Sequence, residues 1–152
     1  MTDYDTALWG LPNPDTHGEF YTDVPFKRFL AWIVDSLMIL LITLGIVMMT
    51  LFIGFAIFPL IWLGVSLIYR IITVSRHSAT PGMRLMAIEL RTHRGARFDL
   101  TTTVLHNLLY TFMLATMLFQ VVSIILMLTT ARRQGLHDLL LGTAAINRAS
   151  AS

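Results

Sequence analysis

Residues 29–74 read FLAWIVDSLMILLITLGIVMMTLFIGFAIFPLIWLGVSLIYRIITV, and between Arg28 and Arg70 the only charged residue is Asp35. A backbone so uncharged is stable in hydrocarbon only when its own N–H and C=O groups pair with each other, which a helix does within one segment. One crossing needs about 20 residues at about 1.5 Å per residue. These 46 residues therefore hold two helices and a short turn. The turn is predicted near Thr50–Gly54, where Thr50 and Gly54 are the weakest helix formers. Pro59 then falls in the first turns of the second helix, where a proline is tolerated. The expected unit is an antiparallel transmembrane hairpin with helices at about 29–51 and 54–75.

The rest of the chain fits an all-α membrane protein. Of 152 residues, 55% are hydrophobic and 13% charged, whereas a soluble domain carries about 25% charge; the mean hydropathy is +0.69. The absence of cysteine excludes disulfides, thiolate metal sites and c-type haem attachment. A net charge of +2 is carried by arginines beside apolar runs, which points to orientation in a bilayer rather than to nucleic acid. Residues 1–26 contain five acids (Asp3, Asp5, Asp15, Glu19, Asp23), three prolines and no basic leader region, so they are expected to form an irregular tail before an uncleaved first span. Its aromatics, Trp9, Phe20, Tyr21 and Phe26, would rest on the membrane interface or on a partner.

Two further segments follow. In residues 75–99, Thr80-Pro81-Gly82 marks a turn. After it, the pattern suits either a short β-hairpin, with Leu85–Leu90 folding through Thr92–Gly95 onto Ala96–Asp99, or an interfacial helix over Met83–Arg91. Leu100–Thr130 is a third apolar stretch, about 46 Å long as one helix against a hydrocarbon core of about 30 Å. It is either one tilted span or a re-entrant hairpin. The lack of glycine and proline favours the span, and Arg132, Arg133 and Arg148 after it favour the hairpin. Lys27, Arg28 and six arginines from Arg70 to Arg97 flank the first two helices at one side. The N-terminus and the 75–99 segment are therefore expected in the cytoplasm.

A charge in hydrocarbon costs about 2.5–3.5 kcal/mol on insertion scales, so Asp35 needs a partner. If the turn centres near residue 52 or 53, residue 35 lies opposite residue 70. An Asp35–Arg70 pair is expected, with Tyr69 nearby and Arg28 about 10 Å towards the cytoplasm on the same helix face. Such a pair either locks the hairpin or serves as a protonatable carboxylate on a cation path. In the third stretch His106, Tyr110, Met113 and Met117 share a face, with Gln120 beyond them. A haem b needs two facing ligands; His77, His93 and His137 fall in loop or interface regions, so His106 reads as a hydrogen-bonded structural residue. The methionines read as gap-fillers. No phosphate loop, nucleophile set or metal-ligand spacing is present, so no enzyme activity, cofactor or metal is expected. The arginines of Arg84–Arg97 suit anionic lipid headgroups.

Arg28–Asp35 (RFLAWIVD), Thr80–Leu90 (TPGMRLMAIEL) and Gln134–Ile146 (QGLHDLLLGTAAI) occur in an order that resembles the RDD family of bacterial membrane proteins. That family is named for an arginine opening the first span, an aspartate within it and an aspartate in a C-terminal motif, here Arg28, Asp35 and Asp138. The motif also holds Gly135, His137 and Gly142; His106 stands where the family often carries an arginine. The resemblance implies a transmembrane domain over residues 27–148 in a bacterial inner membrane, with the 134–146 motif at the interface. If the three named residues cluster, Asp138 returns to Arg28, which favours the re-entrant hairpin. Transport of unknown ligands, including cation/proton antiport, is suggested for the family. The expectation here is a non-enzymatic accessory subunit packing on a larger membrane complex. The alternative is a small self-associating transporter that uses Asp35.

Overall fold

A computed structural model describes residues 10–148; Trp9, Asp3 and Asp5 lie outside the described residues. The first helix, α1 (Val24–Met49), starts ahead of the apolar run, because Pro25 suits a first helical turn and Asp23 caps it in a left-handed conformation. Leu51 and Phe52, both at positive φ, reverse the chain. A 3-10 turn (Ile53–Ile57) leads into α2 (Phe58–His77), with Pro59 in its first turn. The antiparallel hairpin and its turn are those expected. The segments Gly18–Met49 and Ile53–His77 are long and apolar enough to cross a membrane. Ala31, Asp35, Ile39, Thr43 and Val47 form the buried stripe of α1 at a spacing of four residues.

The connection after α2 folds back onto α1. Thr80 caps a single-turn helix, α3 (Pro81–Leu85), through a hydrogen bond from Met83 N to its Oγ1. α3 packs against α1 so closely that a Cβ on Gly82 would press on the Ala31 carbonyl and stand 2.9 Å from the Asp35 carboxyl. Gly82→Ala is therefore expected to cost about 1–3 kcal/mol, read as a lower thermal midpoint in detergent. Gly64→Ala, where an added Cβ meets nothing within 4 Å, should leave the midpoint unchanged or raise it.

Next comes β1 (Ile88–Arg91), and its partner differs from the one expected. The turn at Thr92–Gly95 forms, with Thr92 N donating to Ala96 O at 2.9 Å, but residues 96–99 do not return as a strand. β1 pairs antiparallel with β2 (Ala144–Asn147), Leu90 opposite Ala145. The reason is packing: Ala144 and Ala145 are small and fully buried, and Ala145 joins Ile88, Leu90, Val24, Val74 and Phe98 in one core. Residues 96–99 include Arg97 and Asp99, both exposed. The interfacial helix over Met83–Arg91 is likewise replaced by α3 and β1.

The third apolar stretch is not one helix. α4 (Leu100–Ala115) and α5 (Met117–Thr129) meet at Thr116, whose backbone is extended, and their axes bend by 115°. Ser123 ties α5 to the chain that follows it: its Oγ accepts from Leu136 N at 2.9 Å. α6 (Leu136–Leu141) follows, closed by Gly142 at φ 66°. Residues 10–23, ahead of α1, hold a 3-10 turn at Gly18–Phe20 and are anchored. Tyr21 and Leu11 are buried against Ala144 and Ile146, and the Tyr21 hydroxyl donates to Pro12 O at 2.8 Å.

Candidate functional site

Among the described residues three carboxylates are buried: Glu89 on β1, paired with Arg91, and Asp35 and Asp138, each engaged by donors from distant parts of the chain. Asp35, 2% exposed, accepts from the Tyr69 hydroxyl at 2.9 Å, from Gly82 N at 2.9 Å and from the Thr80 hydroxyl. Arg70 does not pair with it, contrary to the register argument. Consecutive helix residues point about 100° apart, so when Tyr69 faces α1, Arg70 turns towards α4. There its guanidinium lies 4.8 Å from the centre of the Tyr110 ring. The Thr80-Pro81-Gly82 turn, legible only as a turn, supplies the other two donors.

Asp138 is fully buried in α6. Arg28 Nη1 donates to its Oδ2 at 2.6 Å, and Gly135 N to the same oxygen at 3.1 Å. His106 Nε2 lies 2.9 Å from Oδ1, and the Thr143 hydroxyl donates to it at 3.1 Å. Four donors match the four lone-pair sites of a carboxylate. Since a carboxylate only accepts, His106 carries its proton on Nε2. His137 is not in an outer loop: it is 3% exposed, packed edge-on to His106 with ring centres 4.8 Å apart. Arg28 Nη2 lies 3.3 Å from His137 Nε2, so this nitrogen accepts and the ring is neutral.

A family model for the RDD family matches residues 23–142. The chain belongs to the RDD family. No curated protein and no solved structure matches it. Family membership together with the two long apolar helices identifies a small membrane protein. In this RDD chain the family's arginine and second aspartate form one ion pair across 110 positions of sequence, while its first aspartate takes neutral donors.

Arg28, Asp35, Arg70, His106, Tyr110 and His137 all line one chamber of about 70 Å³ between α1, α2, α4 and α6, with Ala31, Val74, Met83 and Leu90 as its apolar walls. That is room for several waters. Gln120 stands apart, on α5, in a neighbouring apolar groove. Gly135 and Gly142 bracket α6, and neither meets the chamber. His106, His137 and Asp138 offer ligand atoms within 4.8 Å of one another. A cation there would have to displace Arg28, whose guanidinium already fills that role. Of the arginines named for headgroups, Arg91 is bonded to Glu89, while Arg84, Arg94 and Arg97 are exposed.

Burial pushes His137 from its ordinary 6.5 down to about 3, opposed by Asp138 and reinforced by His106, Arg28 and Arg70. Burial alone would raise the Asp138 carboxyl; Arg28 and the histidines override it and hold it well below the usual range. With His137 neutral at pH 7, Arg28 is the charge that achieves this. The unfolded chain thus binds a proton at His137 below pH 6.5 that the folded chain refuses until about 3, and stability falls as pH falls through that window. Asp138 adds a loss below its ordinary 3.8. The thermal midpoint in detergent should be flat from about pH 7 to 8 and decline below about 6.5. His137→Gln should flatten the decline above about pH 4; an unchanged slope would assign it elsewhere.

Proposed function

We propose that this RDD protein is a non-enzymatic, multi-pass protein of a bacterial inner membrane that serves as an accessory subunit of a larger membrane complex. The observation that supports the reading is the engagement of Asp35 and Asp138 by internal donors, three on the first and four on the second. Asp35 and Asp138 clamp α3 and α6 onto α1, which is the work of a lock. Large apolar side chains such as Leu37, Leu41 and Met48 are exposed along α1, available to lipid and to neighbouring subunits. The arginine distribution supports a cytoplasmic N-terminus and sheet, with Arg84, Arg94 and Arg97 against anionic headgroups. The bend at Thr116 supports a re-entrant α4–α5 hairpin that returns Arg132 and Arg133 to the same side. A tag at residue 152 reachable only from the periplasm refutes that path.

Native purification in mild detergent tests the function. Stoichiometric co-purifying membrane subunits are expected. The chamber beside Asp35 favours one second reading, a small oligomeric transporter with Asp35 on the path. A lone species whose vesicles show proton-coupled cation flux, abolished in Asp35→Asn but present in a folded Arg70→Gln, would establish that reading instead.

A further inference from the structure

Because α5 turns back at Thr116, it leaves one face of α1 uncovered. Phe26, Phe29 and Trp32 are 62%, 56% and 42% exposed there. Between this face and α5 runs a groove of about 620 Å³, within the range of about 300–1,000 Å³ usual for small-molecule sites. Its outer walls are apolar, including Phe29, Leu114, Ile124 and Met127. Its inner wall is polar, and it shares Arg28, Trp32, Tyr110 and His137 with the chamber. Through these shared residues the apolar groove adjoins the chamber that Arg70 lines.

The hydrogen-bonding capacity at that end is one-sided. Asp138 is engaged by four internal donors and Asp35 by three. Arg70 makes no ion pair among the described residues, and its buried Nε–H has no acceptor there. Arg70 itself is half-buried, but its desolvated Nε–H without an acceptor is unfavourable, and an anionic oxygen relieves it. We propose that groove and chamber together bind one anionic single-chain amphiphile, its acyl chain along α1 and α5 and its acid head at the polar wall against Arg70. A linear chain ending in one carboxylate matches both the shape and the charge of the site.

The test uses the full chain purified in dodecyl maltoside and radiolabelled oleate in a scintillation-proximity assay. Saturable binding of one oleate per chain is expected, displaced by unlabelled oleate and not by methyl oleate. Arg70→Gln should weaken binding by at least about tenfold. Ile124→Trp, which fills the groove without touching either carboxylate, should abolish it. Binding that rises linearly with oleate mole fraction, or that methyl oleate displaces equally, overturns the proposal. So does a dimer that Ile124→Trp dissociates while no oleate binds, since the groove then holds a second copy. Should Arg70→Gln fail to fold, the groove-filling variant and the methyl ester decide between these outcomes.

Discussion

Asp138→Ala is expected to be the most damaging single substitution in the interior. It strands the Arg28 guanidinium, whose side chain is 11% exposed, and removes the acceptor of Gly135 N, His106 and the Thr143 hydroxyl. Breaking one partner of a buried pair costs about 3–5 kcal/mol, because the remaining charge stays desolvated. The loss should appear as a large fall in the thermal midpoint of the detergent-solubilised chain, together with reduced accumulation in the membrane. A double substitution, Arg28→Met with Asp138→Leu, removes both charges and should recover a substantial part of that loss. An Asp138→Ala protein as stable as the parent would mean that the Arg28–Asp138 pair contributes nothing to the fold.

Asp35→Ala comes next. Three donors, the Tyr69 and Thr80 hydroxyls and Gly82 N, lose their acceptor together. Each orphaned buried donor costs about 1–3 kcal/mol, and partial relaxation around the small alanine makes a total of about 3 kcal/mol reasonable. Asp35→Asn keeps one carbonyl acceptor and should be milder. Arg70→Gln provides the discriminating comparison. With Asp35 and Arg70 as an ion pair, the two single substitutions would be comparably severe and strongly coupled in a double-mutant cycle. With the geometry described above, Arg70→Gln gives up a ring contact and little else in stability, and the cycle energy should be small. A large coupling would restore the ion pair.

The contrast between these two aspartates shows how far local reading extends. The 29–74 run was enough to place two helices, a turn near residue 52 and residue 35 within one position of its true partner, Tyr69, because helix length and spacing are set by rise per residue. Which of two adjacent side chains turns inward depends on helix rotation, and helix rotation is set by what packs on the other side. The Thr80-Pro81-Gly82 turn showed itself as a turn. That its hydroxyl and amide would satisfy Asp35 was hidden, since a carboxylate accepts from any donor and composition alone does not rank them.

What the amino-acid sequence determined alone was what near neighbours govern, the membrane-compatible helical hairpin with its turn near residue 52; the RDD resemblance singled out Arg28, Asp35 and Asp138. Only the tertiary structure decided the long-range pairings: β1 with β2 rather than with residues 96–99, the break at Thr116 without glycine or proline, and His137 buried beside His106. These depend on burying small apolar strands and on satisfying every interior donor and acceptor at once. Both conditions belong to the whole packed chain and leave little mark on any short stretch of it.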